Sequence, residues 1–145
     1  MQFELVSLDG VKFHEDVYSV VLPTAAGQIT VMPGHEALLG VVVPGVIIIR
    51  RTKTDSDAHL EHFATFGGVL EVGAHEDGSK YARVLVDEAT HGDDVSEAEA
   101  EKAHQAALEL KRHAKDQVEL DKAQAMVDRQ AVRLAVAQVR RRHRR

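Results

Sequence analysis

The chain divides near residue 90 into two stretches of opposite local character. Before that point, turn-forming pairs interrupt the sequence repeatedly. After it there is no proline, a single glycine and a high content of helix-forming residues. We therefore predict two domains, residues 1–88 and residues 89–145. Pro33-Gly34 is predicted to be a hairpin turn. The predicted turns of the first domain include Asp9-Gly10, Ala26-Gly27, Pro33-Gly34, Pro44-Gly45, Gly67-Gly68 and Asp77-Gly78.

The segments between these turns have the length and composition of β-strands. They are rich in Val, Ile and Phe, and several of them alternate between apolar and polar residues. Phe3 and Leu5, for example, face one side of a strand, while Gln2 and Glu4 face the other. Strands are predicted at residues 3–8, 17–22, 28–32, 46–50, 60–66 and 82–87. So many short strands joined by tight turns indicate an all-β sandwich or flattened barrel.

The second domain is predicted to be an antiparallel α-helical hairpin. Ser96 and Glu99 fit the Ser-x-x-Glu capping box at a helix start, and the polar segment 115–121 is predicted to reverse the chain. Because burying an alanine removes little apolar surface from water, we expect this hairpin to be held weakly and to detach at small cost. The two apolar stripes are predicted to be Ala100, Ala103, Ala107, Leu110 and Ala114, and Ala123, Val127, Ala131, Leu134 and Ala135.

The charges of the two domains differ in sign. Residues 1–90 carry 6 Lys/Arg against 13 Asp/Glu, whereas residues 91–145 carry 12 against 10. Residues 133–145, here called the C-terminal arm, contain six arginines and no acid, which indicates an acidic partner. The chain has no cysteine, and its longest apolar run, residues 38–49, is interrupted by Gly40 and Pro44. We expect a protein that acts in the cytosol or on a cytosolic face.

Catalytic and metal-binding chemistry is not indicated. His59 and His62 lie three apart in a presumed strand, where such residues point to opposite faces, and His35 has no companion ligands in its turn. The sequence lacks a P-loop and a Gly-x-Ser-x-Gly motif. One alternative stays open: a free-standing binding module whose Arg-rich C-terminal helix engages nucleic acid or another acidic partner, although no aromatic residue accompanies the arginines.

Five segments, in order, resemble the epsilon-subunit family of the rotary F-type ATP synthase. They begin with the opening FELVSLDGVKFHEDVYSVVLPTAAGQITVMPGH, residues 3–35. The others are Leu38-Leu39, Pro44-Gly45 with the run 46–49, the strand 67–72, and residues 86–89. Together with the helical hairpin that follows them, these segments make the resemblance cover nearly the whole chain.

The resemblance implies a non-catalytic rotor subunit at the cytoplasmic face of the bacterial cell membrane, peripheral to the membrane through its complex. Its partners would be the gamma subunit, the c-ring, and the alpha and beta subunits. Family members switch their helices between a folded hairpin and an extended form that enters the catalytic hexamer and blocks ATP hydrolysis. By position, the c-ring side would comprise Gln28, Met32, Pro33 and His35. The hexamer contacts would comprise Arg129, Arg133, Arg140, Arg141 and Arg142.

One departure from the family concerns ATP. Some relatives bind ATP through an Ile/Leu-Asp-x-x-Arg-Ala motif at the first helix, where this chain has Val95-Ser96-Glu97-Ala98-Glu99-Ala100. Ser96 replaces the aspartate and Glu99 replaces the arginine, so an anion stands where the family has a phosphate-attracting cation. We therefore expect no cofactor, and weak or absent ATP binding of this kind.

Overall fold

The computed structural model describes residues 1–145 as eight strands followed by two helices. The helices are α1 (Glu97–Arg112) and α2 (Gln117–His143), and short 3-10 helices lie at Asp57–His59 and Gly92–Asp94. This confirms the predicted class, a β-sandwich followed by a helical hairpin. The strands are β1 (Gln2–Ser7), β2 (Gly10–Asp16), β3 (Ser19–Thr24), β4 (Gly27–Val31), β5 (Leu38–Arg50), β6 (Glu61–Ala74), β7 (Lys80–Val86) and β8 (Ala89–His91).

The sandwich is one continuous sheet that folds over on itself. Its order is β2-β1-β7-β6-β5-β3-β4, with β8 paired to β6. β7 pairs with residues 68–74 of β6, whereas β8 pairs with residues 63–65, so the two halves of β6 belong to different layers. The first layer contains β2, β1, β7 and the adjoining halves of β6 and β5. The second contains β8, the other halves of β6 and β5, and then β3 and β4. Because β8 extends to His91, the sheet continues three residues beyond position 88, where the composition places the boundary.

The predictions of turns at Pro44-Gly45 and Gly67-Gly68 are wrong. Both pairs lie inside long strands, β5 with 13 residues and β6 with 14, at the level where these strands pass between the layers. Gly67 has a φ of +110°, which a residue with a side chain rarely adopts. A Cβ at Gly68 would lie 2.1 Å from the carbonyl oxygen of Leu85. These glycines permit a bend and a close strand approach instead of a chain reversal.

The main core lies between the two layers. It contains 17 buried residues, among them Phe3 and Leu5 of β1. Phe13 of β2 packs against Phe3 with ring centroids 5.8 Å apart, and against Phe63 at 6.2 Å. The prediction missed β2 because Phe13 is its one buried residue, so the strand shows no apolar alternation.

The Ser96 half of the predicted capping box at α1 is confirmed, but the reversal between the helices is shorter than predicted. The Ser96 hydroxyl accepts a hydrogen bond from the Glu99 backbone N–H at 3.4 Å. α1 ends at Arg112, and α2 begins at Gln117 with Asp116 as its N-cap. The reversal therefore occupies residues 113–116, since the Asp116 carboxylate satisfies a free backbone N–H and allows an earlier helix start.

The predicted apolar stripes are partly wrong. Leu110 of α1 is 53% exposed, and Ala131 of α2 is exposed as well. Val136 and Ala137, which neither stripe included, are fully buried. The reason is that α2 packs against α1 and also against the outer face of β5 and β6.

A second apolar cluster, here called the docking cluster, joins the hairpin to the second layer of the sandwich. α2 contributes Val136 and Ala137, which pack on the outward side chains of the sheet. Neither helix combines the length and the apolarity that crossing a bilayer requires. The docking cluster consists of Val46, Ala64, Val95, Ala100, Val136 and Ala137.

Candidate functional site

The turn after β4 has the geometry of a type II turn. The His35 backbone N–H donates to the Met32 carbonyl at 3.0 Å, and Gly34, at the third position, has a φ of +97°. The His35 ring donates from Nδ1 to the Glu36 carbonyl at 2.8 Å, which fixes the imidazole against its own loop. Met32 and Pro33 are exposed, and His35 is half-buried.

This turn does not close a hairpin, although Pro33-Gly34 was predicted to do so. β4 and β5 both pair with β3, on opposite sides of it. Because both are antiparallel to β3, they run parallel to each other, and the segment between them is a crossover connection. The actual hairpin turns are the predicted ones at Gly10, Gly27 and Gly78, each with positive φ.

The four residues predicted for the c-ring side do not form one contiguous cluster. Met32, Pro33 and His35 share the turn after β4. Gln28 is exposed at the opposite end of that strand, about 14 Å away at the usual rise per residue.

The structure shows one surface that the sequence did not predict, an apolar row on the outer face of the first layer. Val41 pairs with Val69, Val69 with Leu85, Leu85 with Val6, and Val6 with Val11. Directly paired residues share a sheet face, so these five side chains form a continuous row, here called the outer stripe. Four of them are 44–61% exposed. The matching face of the second layer is covered by α2, whereas this face is bare. The sequence did contain a signal for this surface. In these strands, apolar residues also occupy the alternate positions, which point away from the core.

Three of the predicted hexamer-facing arginines, Arg129, Arg140 and Arg141, contact groups of the chain itself. Arg129 bonds to the Glu88 carboxylate and lies over the Phe66 ring, 4.8 Å from its centroid. Arg140 donates to the Gly92 carbonyl and pairs with Asp93 at 3.2 Å. The C-terminal arm is thus folded back on acids at the junction of the two domains.

The remaining arginines differ from one another. Arg141 pairs with Glu97 at 2.9 Å, and Arg142 is exposed. Arg133 lies beside the N-terminus of α1, and its Nε has no hydrogen-bond partner. Because these cations mostly lie against the chain's own acids, the arrangement does not favour the nucleic-acid alternative.

The surroundings of Arg133 bear on the ATP prediction. The cleft that it lines also contains Asp94, Ser96 and Glu99. The Ser96 hydroxyl already caps α1, and the two carboxylates oppose an anionic ligand. No group of three or more potential metal-ligating side chains is present in the structure.

A histidine contact, here called the histidine pair, ties the end of α2 to β6. His62 Nε2 lies 2.8 Å from His143 Nδ1, and the ring centroids are 5.0 Å apart. Burial, together with electrostatic repulsion from the neighbouring His143, His91 and Arg140, lowers the pKa of His62 to about 4. From the sequence, His62 was weighed only as a possible metal ligand. Its contact with His143 could not be seen there, because the two residues lie 81 positions apart.

The sandwich and the whole chain both match known proteins. Residues 1–92 match the family described as "ATP synthase, Delta/Epsilon chain, beta-sandwich domain". The chain is 33% identical to ATP synthase epsilon chain 2 of Photobacterium profundum, with 97% of this chain and 93% of that protein covered. It is 31% identical to the ATP synthase epsilon chain of a Janthinobacterium species, with 95% and 93% covered.

Two solved structures share the fold. A chain of the Euglena gracilis mitochondrial ATP synthase, in a structure of OSCP, F1 and c-ring, gives a TM-score of 0.71 at 16% identity, covering 87% of this chain and 74% of that one. A chain of the Tetrahymena thermophila mitochondrial ATP synthase, in a structure of central stalk and c-ring, gives 0.57 at 13% identity, covering 94% and 96%. These similarities include the sandwich and extend into the hairpin.

Proposed function

The chain belongs to the ATP synthase epsilon-chain family, and from this membership we propose that it is a non-catalytic central-stalk subunit. In this role it couples the c-ring to gamma and restrains ATP hydrolysis through its helices, at the cytoplasmic face of the bacterial membrane. The observation that carries the proposal is the full-length similarity to epsilon chains, since sandwich and hairpin are matched together. Co-purification of the full chain with gamma and the c-ring tests it. An assembled synthase that lacks the chain would contradict it.

The outer stripe is the proposed gamma-binding surface. It is a flat, exposed apolar row on the one sheet face that no helix covers, and such patches mark protein interfaces. An aspartate there would have to be desolvated on binding. Val69→Asp is therefore expected to weaken binding to purified gamma at least about tenfold, measured by calorimetry with the full chain. Thr30→Asp, on an exposed position of β4, is the control, and equal affinities for the two variants would contradict this assignment.

The turn of Met32, Pro33 and His35, together with Gln28, is the proposed c-ring side. The turn is rigid because of its internal hydrogen bonds, which suits a fixed docking point. A photo-crosslinking residue at His35 should join the chain to the c-ring in the assembled enzyme. The same residue at the exposed Lys111 of α1 should not. Crosslinks from both positions, or from neither, would argue against a ring contact at the turn.

The arginines are proposed to exchange their present partners for acids of the alpha and beta subunits when the hairpin extends. Arg141 and Glu97 form a partly exposed pair, and such pairs contribute about 1 kcal/mol or less. Guanidinium groups bind carboxylates bidentately, so the exchange costs little. Removing residues 133–145 should raise the ATPase activity of the assembled enzyme, and so should the full-length variant with Arg140, Arg141 and Arg142 all changed to Gln. Unchanged hydrolysis in both would reject the inhibitory role.

Absence of ATP binding is proposed for this subunit. The support is the capping role of the Ser96 hydroxyl and the carboxylates of Asp94 and Glu99 around the cleft. Titration calorimetry of the full chain with ATP should show no saturable heat. A dissociation constant in the micromolar range would overturn this proposal and leave the central-stalk assignment intact.

A further inference from the structure

The histidine pair is the most sequence-distant polar contact between the helices and the sandwich. His62 is 3% exposed and lies under the last turn of α2, and a single hydrogen bond of 2.8 Å joins it to His143. This bond needs one ring N–H and one ring lone pair. Two protonated rings have no lone pair left to accept it, and they repel each other.

The groups around His62 do not compensate a charge on it. Glu61 is the nearby anion of its own strand, but its carboxylate already pairs with His91 at 2.5 Å and with Arg51 at 3.0 Å. Burial and the surrounding cations therefore oppose protonation while α2 is docked. The titratable and charged groups facing the pair are Arg140 and His143 of α2, Arg144 directly after it, His91 of β8, Glu61 of β6, and Asp57, His59 and Asp93 of the two 3-10 helices.

We propose that the histidine pair is a pH-sensitive latch, which holds the last turns of α2 on the sandwich at neutral pH and releases them on mild acidification. The inference goes beyond the proposed function, because release is a property of the chain alone. If the helices also reach the catalytic hexamer, acidification favours the form that does so.

The direction and size of the pH effect on docking follow from the difference between the pKa of His62 in the docked chain and in the released chain. Its pKa is about 4 in the docked chain, against 6.5 for an ordinary histidine exposed by release. A base whose pKa is depressed in the docked state stabilises docking fully above pH 6.5 and progressively less as the pH falls towards 4. The ratio of released to docked chain is therefore expected to rise about tenfold between pH 7.5 and pH 5.5.

Spin labels on the full chain measure this ratio. Because the chain has no cysteine, cysteines introduced at the exposed positions Lys53 and Arg142 give one label on the sandwich side and one on α2. Double electron–electron resonance should show a longer-distance population that grows about tenfold, relative to the docked one, from pH 7.5 to 5.5. His62→Gln, which cannot be protonated, should abolish this growth, and His75→Gln, at an exposed histidine of the sandwich, should retain it. Growth that persists in His62→Gln, or no growth in the parent chain, would overturn the latch.

A second measurement covers the case in which His62→Gln does not fold. The ring nitrogens of His62 in the isotopically labelled parent chain are followed by NMR through the same pH range. Docked chain should keep a neutral His62 ring at pH 5.5. A ring that becomes charged near pH 6.5 while the label distance stays short would show that docking and protonation are independent, and would refute the proposal.

Discussion

Val136 tests how much the docking cluster contributes to holding α2 on the sandwich. Its side chain is fully buried, and Val136→Ala removes two methyl groups. At about 0.8 kcal/mol per buried group this loses about 1.6 kcal/mol, and the cavity left behind raises the cost to about 2 kcal/mol. The docking equilibrium should then shift roughly 30-fold towards release.

Amide hydrogen exchange of the full chain, read by mass spectrometry, reports this shift segment by segment. Amides in the second half of α2 should exchange roughly 30-fold faster in Val136→Ala, while those of β1 and β7 stay unchanged. The control is Val118→Ala, the same substitution at a position of α2 that is 62% exposed. Equal exchange in the two variants would show that burial in the docking cluster does not hold the helix.

Two further substitutions test local features of the fold. Gly68→Ala should lower the urea midpoint strongly or prevent folding, because its Cβ would lie 2.1 Å from the Leu85 carbonyl oxygen. Gly40→Ala, whose Cβ would meet no heavy atom within 4 Å, is the control, and matching midpoints would contradict the close-approach argument. Ser96→Ala should destabilise α1 by about 1 kcal/mol, because the Glu99 N–H loses its acceptor, seen as a lower thermal midpoint of helix circular dichroism. An unchanged midpoint would mean that the cap does not stabilise the helix.

Features set by neighbouring residues could be predicted from the sequence. Asp9-Gly10 and Asp77-Gly78 close hairpins because the glycine supplies the positive φ that the turn requires, and this requirement is local. The start of α1 is likewise set within four residues by Ser96. Such features depend on chain-local geometry and do not need the tertiary fold.

The role of the other glycine pairs could not be predicted, because it depends on a distant strand. Gly68 is required by the approach of β7, and Gly45 by Pro23 of β3, whose side chain would lie 2.9 Å from an added Cβ. A Pro-Gly or Gly-Gly pair has the same local signature whether it reverses the chain or bends a strand. The distinction comes from which strand lies beside it.

The buried face of α2 could not be predicted for a related reason. The predicted apolar stripe assumes that α2 packs against one neighbouring element. In the structure, α2 packs against both α1 and the sheet. Val127 and Val136 are both buried, and Val136 belongs to the cluster that joins α2 to the sheet. The second partner moves the buried face around the helix, so the extrapolated stripe placed Ala131 inside when it is exposed.

The C-terminal arm was predicted to bind an acidic partner, and in this structure the acids are the chain's own. The ion pairs of Arg141 and Arg144 are largely exposed, so each contributes about 1 kcal/mol or less. A new carboxylate partner restores a similar contribution, and the exchange of ion pairs is close to neutral. The buried side chain of Val136, at about 2 kcal/mol, and the neutral His62 have no such replacement in solvent. A partner that captures the arm must therefore compensate chiefly for the docking cluster and the histidine pair, and these two contacts decide how readily the hairpin opens.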